Sequence, residues 1–376
     1  MTEDAASSTT VTMTFPKAGS AGEQLGELGV ALVNKNLNFK SASGLSTLMI
    51  LRNIEDDGGM PFTKAGRFGA TVGFTCPPEK ASFLAAILAA DCSFEKWDVR
   101  DARNTAAVEV EEAQTSAQVV LTEHIFAASF GPQSPAGRPY YFSAPGSVPL
   151  ADIKAFRSRA YGTNGAVLAA TGVSDHAAFV KAVEEGLSAA PAGSTDAPAK
   201  ATFLGGESRL QVAAGSYGHV ALAFDGTAAS SALLNVIKHV FQLSGASSGV
   251  SAFSTKGLVG VYGGSSSPGG ISDSLCGAVT AKATPDLVKR AKGLAKAEAL
   301  FALESGSKGL AEAMTDSVLE TGTFTGPKGV AAAYDAITDK DIDQAISAMF
   351  KKTPALAAVG DITTVPYLGS IASRFS

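Results

Sequence analysis

The sequence predicts an α+β protein made of two homologous domains, each an antiparallel-rich sheet covered by helices. Three observations lead there. The order of elements at 152–172 recurs at 341–360, so the chain carries an internal repeat. Between the copies, residues 189–199 lack periodicity and are rich in Pro, Gly, Ser and Ala, which is a linker composition. Finally, 376 residues with 45% hydrophobic and 17% charged side chains exceed what a single core organises. The expected division is 1–188, a linker at 189–204, and 205–376.

The first copy opens with Val11-Thr12-Met13-Thr14-Phe15, whose alternation predicts a strand. Residues 25–59 read as an amphipathic helix, a break, a second helix and a Gly58-Gly59 turn, followed by an alternating strand over 67–76. A helix begins near Phe94 and carries Trp97, a candidate core or interface anchor, and then Glu109, Glu111 and Glu112, which read as a solvated face. Residues 131–142 combine turn formers with aromatics, and packing is their default role. Asp152-Ile153-Lys154-Ala155-Phe156 opens a helix to Tyr161, and a strand follows over 166–172. The second copy repeats the plan. A strand at 219–224 leads into an amphipathic helix, 250–262 forms a strand pair, Asp341-Ile342-Asp343-Gln344-Ala345 opens a helix to Phe350, and 355–360 is a strand. Each copy ends in a polar turn and a final helix. One polar side on the strands predicts helices on one face of each sheet.

Composition excludes several classes. A net charge of −5 and the absence of Lys/Arg patches argue against a nucleic-acid binder. The longest mainly apolar run, 83–92, is far short of the roughly 20 residues that span a bilayer, so any membrane association is expected to be peripheral or through other subunits. Cys76, Cys92 and Cys276 are too few and too scattered for a disulfide framework or a cysteine zinc site. They read as buried, reduced thiols. The acidic, polar start at Met1-Thr2-Glu3-Asp4 shows no legible targeting segment.

Three motif matches fail on context. Gly245-Ala246-Ser247-Ser248-Gly249 fits the nucleophile elbow Gly-x-Ser-x-Gly, but it follows a helix, leads into a strand, and has no histidine after it. A serine hydrolase built on Ser247 is the remote alternative that this leaves. In the stretch from Gly322 to Gly329, Pro327 removes a donor that a phosphate loop needs and Gly329 stands where Ser or Thr would hold magnesium, so it reads as a turn before a helix. Gly263-Gly264 through Gly269-Gly270 lacks dinucleotide spacing and reads as a loop.

The layout of 25–76, the segment Val250-Ser251-Ala252-Phe253 through Gly260-Val261-Tyr262, and the closing Ala358-Val359-Gly360-Asp361 with Pro366-Tyr367 together resemble the M16 metallopeptidase family. This family spans pitrilysin, mitochondrial processing peptidase and the core proteins of the cytochrome bc1 complex. Active members carry His-x-x-Glu-His on the first helix. Here Leu32-Val33-Asn34-Lys35-Asn36 matches that stretch, so Leu32 and Asn36 replace the two ligands and Lys35 the general base. Glu112 falls near the third-ligand position. Independently of the family, a helical zinc site needs two histidines four apart, and His124, His176, His219 and His239 offer no such pair. An ammonium at the base position would repel a cation. No catalytic, metal or cofactor site is therefore expected.

The resemblance implies a non-catalytic structural subunit of complex III on the matrix side of the mitochondrial inner membrane. Its implied partners are a homologous core 1 or β-type subunit, cytochrome b, cytochrome c1 and the Rieske protein. The alternative it implies is the non-catalytic, presequence-binding α-type subunit of a processing peptidase. Two departures from the family are visible. Little sequence precedes Val11 to form the family's first strand, so the first sheet is expected to be a strand short or completed differently. The segment 242–249 is much shorter than the family's link at this place, which helps to shape a substrate chamber.

Overall fold

The computed structural model describes residues 8–41, 45–81, 94–142, 144–188, 190–196, 201–212 and 217–375. The opening Met1-Thr2-Glu3-Asp4, the apolar run 83–92 and Cys92 lie outside the described residues. The chain forms two compact units, and they are not contiguous halves. The first comprises Met1–Glu111, Pro139–Ala199 and Phe301–Gly326; the second comprises Glu112–Arg138, Lys200–Leu300 and Pro327–Ser376. Each unit takes one segment from the opposite half of the sequence.

In the first unit β1 (Thr9–Phe15) lies between β3 (Gly69–Cys76) and β4 (Val167–Thr171), antiparallel to both, and β2 (Met60–Gly66) pairs with β3. The order is β2-β3-β1-β4. Strand alternation sends Val11, Met13, Phe15, Val72 and Phe74 to one face, where they form a core with α1 (Val30–Lys35), α2 (Thr47–Asp56), α3 (Lys96–Thr115), α5 (Leu150–Ala160) and α6 (His176–Leu187). Ile54, Ala106, Ile153, Phe156 and Phe179 are the helices' main contributions. α4 (Ala117–Phe130) belongs to the second unit.

The second unit repeats this plan and adds a strand. β6 (Gly218–Asp225) lies between β8 (Leu258–Ser265) and β9 (Ala355–Gly360), and β7 (Ser251–Thr255) pairs with β8. β5 (Gly206–Gln211) joins β9 in parallel, giving β5-β9-β6-β8-β7. Among the described residues the first sheet has four strands and no counterpart of β5. Val220, Leu222, Phe224, Val259, Val261 and Leu356 meet α7 (Ser231–Ser244), α8 (Pro268–Thr280), α9 (Pro285–Glu304), α11 (Gly326–Asp335) and α12 (Asp339–Phe350). A Thr338/Asp341 capping box starts α12, and α13 (Leu368–Ala372) closes the chain.

The expectation of helices on one face only is corrected. α10 (Ser307–Thr321) packs across β4 and β1 on the polar face of the first sheet, and α4 packs across β9, β6 and β5 on the outer face of the second. The polar face is a buried threonine layer. Thr10 and Thr75 share a hydrogen bond of 2.9 Å, Thr14 and Thr71 one of 2.8 Å, and the Thr171 hydroxyl donates to the Ser307 carbonyl at 3.1 Å. With the Thr12 hydroxyl donating to the Ala169 carbonyl at 3.3 Å, these partners offset the burial of Thr10 and Thr12, both 0% exposed. Under α4 the corresponding face is built of Ala221, Ala223, Ala355 and Ala357, small enough for a helix to approach closely.

Other expectations are adjusted too. The first helix starts at Val30, since Gly26 and Gly29 adopt φ of 93° and 84°, and Leu25 is exposed. Strand β2 escaped prediction because Met60-Pro61-Phe62-Thr63-Lys64 has no alternation; it sits at an edge, where a proline is tolerated. The 263–270 stretch is the end of β8 and the first turn of α8, not a loop. Trp97 is 57% exposed and so is no core anchor within this chain. The linker expectation is also adjusted at 190–196. The Thr163 amide donates to Pro191 O, the Asn164 amide to Ala192 O, and the Ser194 amide to Arg159 O, which pins this stretch to the first unit.

Each half of the sequence, 1–188 or 205–376, lacks the helix that covers the outer face of its sheet. Expressed separately, both are expected to aggregate, and co-expression is expected to restore soluble protein; monodisperse separate halves on gel filtration would contradict this. A second expectation concerns Asp225, whose side chain is 5% exposed and ion-paired with Lys352. Burial alone would raise its pKa, but hydrogen bonds from Lys352 and from the Thr227 hydroxyl and amide outweigh that and hold it below the ordinary range. A depressed carboxylate stabilises the fold above its unfolded pKa of about 4 and loses that contribution as pH falls through the folded value. Lys352→Met should cost about 1–3 kcal/mol at pH 7 in urea titrations, with the difference from the parent narrowing below pH 4.

Candidate functional site

The candidate site is the first-unit locus where the family resemblance places metal chemistry. Helix α1 is short and its first four residues, Val30, Ala31, Leu32 and Val33, are fully buried. Its start is held by the Glu23 carboxylate, which accepts from the Ala31 amide at 2.9 Å. A carboxylate at a helix N-terminus takes up an otherwise unsatisfied amide and meets the positive end of the helix dipole. Gly29 at the N-cap lies against the Phe142 ring, where a Cβ would come within 2.8 Å of the ring carbon Cδ1.

The three replaced positions take different roles. Leu32 is 0% exposed and belongs to the core. Asn36 donates through Nδ2 to the Leu32 carbonyl at 3.2 Å, a local bond back onto the helix. Lys35 reaches Glu109 on α3, with Nζ 2.7 Å from Oε1 and each side chain 23% exposed. Glu109, which the sequence places on a solvated face with Glu111 and Glu112, is instead the partner of Lys35. Its neighbours Glu111 and Glu112 are exposed, as expected. The signal for this pairing was present in the sequence as a lysine replacing a base near a cluster of acids, but only the packing of α1 against α3 selects Glu109.

A polar network flanks the pair. Asn34 Nδ2 donates to the carbonyls of Val30 and Ile153, at 3.0 and 3.3 Å. Arg157 donates to Asn38 Oδ1 at 2.6 Å and to the Asn34 carbonyl at 3.3 Å, with its guanidinium 4.0 Å from the Tyr161 ring centroid. Tyr140 is buried, and that burial, reinforced by Tyr161, pushes its phenol well above the ordinary range, so it stays protonated.

Tested against a divalent zinc ion, these residues do not fit. Leu32 has no lone pair, the Asn36 amide donates to the backbone, the Glu23 carboxylate caps the helix, and the Glu109 carboxylate is occupied by the Lys35 ammonium. Among the described residues no group of three or more His, Cys, Asp and Glu side chains is placed to hold a metal. No hydrolytic step can be derived through a metal here.

The other singled-out motifs take structural places. Residues 245–249 run from the end of α7 through a turn, Ala246–Ser248, into β7. Gly322, at φ 80°, caps α10 before α11 starts at Gly326. Cys76 is buried, and that burial, with Asp57 and Glu79 nearby, raises its thiol to about 11; Cys276 is also buried, and its thiol is raised too. Neither is a poised nucleophile.

Two sheets of matching strand order, each backed by helices in the same sequence, define a protein of the duplicated M16 peptidase-like fold. Its homologues are mitochondrial-processing peptidase subunits and cytochrome b-c1 complex subunit 2. The chain is 26% identical over 411 positions to mitochondrial-processing peptidase subunit alpha of Solanum tuberosum, covering 96% of this chain and 80% of that one. It is 24% identical to cytochrome b-c1 complex subunit 2 of Cryptococcus neoformans, covering 93% and 87%, and 24% identical to that of Mus musculus, covering 95% and 86%. No family model matches the chain. Among solved structures, a chain of Complex III2 from Candida albicans, Inz-5 bound, superposes with a TM-score of 0.82 at 17% identity, over 99% of this chain and 95% of that one.

Leu32→Ala should destabilise the protein by about 2–5 kcal/mol, because it opens a cavity in a packed core. Lys35→Met should cost about 1 kcal/mol or less, since the pair is partly exposed. Denaturant titrations of the two variants check the order, and a Lys35 variant as costly as the Leu32 variant would mean that the ion pair, not the leucine, holds α1 in place.

Proposed function

We propose that this chain is a non-catalytic structural subunit of mitochondrial respiratory complex III, ubiquinol–cytochrome c reductase, of the core subunit 2 type. The observation that carries the reading is similarity along 93–95% of the chain to cytochrome b-c1 complex subunit 2 from two distant organisms, on a fold that matches a complex III chain end to end. In this role the chain pairs with a homologous core 1 subunit on the matrix side of the inner membrane. There it supports assembly of cytochrome b, cytochrome c1 and the Rieske protein. Among the described residues no helix is long and apolar enough to cross a membrane, and in this role the partners hold the chain at the membrane. The Lys35–Glu109 pair and the buried Leu32 support a role without hydrolysis, because they fill the place of a metal with a cation and a core side chain.

A second reading, the α-type subunit of a processing peptidase, is favoured by the similarity to the Solanum tuberosum protein. Against it stands the tight connection between α7 and β7, a single turn at Ala246–Ser248, in the place of a longer family segment.

Isolation of the native assembly in mild detergent, with mass spectrometry, metal analysis and a presequence-cleavage assay, separates the two. Co-purification with cytochrome b, cytochrome c1 and the Rieske protein, without zinc in this chain, is the expected outcome. Recovery as a haem-free heterodimer with a zinc-bearing sister chain that cleaves presequences would replace it with the second reading.

A further inference from the structure

We propose that a cleft lying wholly within the second unit, between α4 and strands β7 and β8, binds a small uncharged aromatic molecule of about two fused rings that carries one hydrogen-bond acceptor. The cleft has a volume of about 230 Å³. An apolar cavity of about 150 Å³ is enough to hold benzene, so this one has room for a second ring. Its walls are Leu121, Ile125 and Phe126 on α4 and Ala221, Phe253 and Tyr262 on the sheet. Half of these are aromatic. The Phe253 and Tyr262 rings stand 6.3 Å apart between centroids and 53° apart in plane, which offers faces and edges to a third ring. Among the described residues no charged side chain lines the cleft, so an ionic ligand would lose its hydration there without gaining a partner.

The internal repeat supplies a control within the same molecule. Phe62 of β2 pairs with Gly73 of β3 as Phe253 of β7 pairs with Gly260 of β8, which aligns the two sheets residue by residue. On that alignment Ala221 and Tyr262, opposite each other on β6 and β8, take the places of Thr10 and Thr75. Counted from each helix start, Ile125 and Phe126 of α4 take those of Thr315 and Asp316 of α10, and Gln118 and Thr122 those of Lys308 and Glu312. In the first unit the chain closes this flank itself. Thr10 and Thr75 bond to each other, Lys308 Nζ sits 4.1 Å from the Phe62 ring centroid, and Glu312 pairs with Lys64 of β2 at 2.9 Å. In the second, Thr255 stands for Lys64, and the charges of Lys64, Lys308, Glu312 and Asp316 are all gone. One backbone plan thus carries a polar, latched flank in one copy and an open, apolar one in the other.

The polar rim decides what the ligand must offer. The Tyr262 hydroxyl accepts from Gln118 Nε2 at 3.2 Å and donates to no group among the described residues, so its proton is available to an acceptor on the ligand. The Thr122 hydroxyl is already committed, donating to the Gln118 carbonyl at 2.8 Å. Phe253 and Tyr262 are only half-buried, and a ring entering between them and α4 adds the dispersion contacts that their exposed faces lack. A few placed polar groups on an apolar concavity are the usual make-up of a small-molecule site.

The test uses the full chain with 2-naphthol as the probe, followed by its fluorescence, and with naphthalene, 2-naphthoate and 1-decanol as competitors. One-to-one binding of 2-naphthol is expected, with 2-naphthoate at least about tenfold weaker. Tyr262→Phe should weaken 2-naphthol by about threefold to tenfold and leave naphthalene unchanged. Thr122→Phe fills the cleft, and the triple variant Gln118→Lys, Thr122→Glu, Thr255→Lys copies the latch of the first unit. Each should weaken 2-naphthol at least about tenfold, with the melting temperature of the free protein unchanged. If one of them lowers that temperature the other decides, and if both do, Tyr262→Phe decides. No binding of 2-naphthol to the parent chain overturns the proposal, as does binding that survives these variants. Displacement by 1-decanol at lower concentration than by naphthalene also overturns it, because that would mark a site for alkyl chains.

Discussion

The constraint on which the structure depends is that each sheet has a second face, and its own half of the sequence does not cover it. In the first unit that face is a layer of threonines, with hydroxyls bonded across strands and to Ser307 at the start of α10. In the second it is a floor of alanines beneath α4. Either face left in water would forfeit buried area, and the threonine layer would lose its partners to solvent. The covering helices come from segments distant in sequence, so the two units can only complete together. That couples the halves of the chain through folding free energy and makes the contacts long-range, which slows assembly relative to a chain of local contacts.

Duplication explains why so many local features occur twice. An aromatic laid across a glycine on the neighbouring strand appears at Phe62 over Gly73 and at Phe253 over Gly260, because the glycine leaves a gap that the cross-strand ring fills. Apart from the added strand β5, the copies diverge in chemistry more than in topology. The flank of α10 is charged and latched to β2, while the flank of α4 is uncharged and leaves space beside β7. The four shared strands keep one order in both sheets, and side chains at matching positions set how each flank is closed.

At the locus where the family resemblance places metal chemistry, three side chains act in different ways. Leu32 joins the core, Asn36 bonds back to its own helix, and Lys35 pairs with the Glu109 carboxylate. Restoring one of them would leave the other two unable to serve a cation. The helix persists because its start is held by Glu23 and its core face by Leu32, and neither depends on a metal.

The alternating strands Val11 to Phe15, 219–224 and 355–360 and the helices after Asp152 and Asp341 were legible because burial of one face imposes a period of two or 3.6 on the sequence itself. The duplication was legible as well, since it rests on the order and spacing of residues. Strand β2 was not, because an edge strand with a proline carries little periodic signal, and neither was the shortened first helix, which two left-handed glycines delimit. Which carboxylate answers Lys35, which helix covers which sheet, and why one flank is latched and the other open were settled only by the tertiary structure. Sequence alone determined the local period and the chemistry available at each position. The pairing of those chemistries depends on contacts between segments far apart in the chain, and no local pattern encodes them.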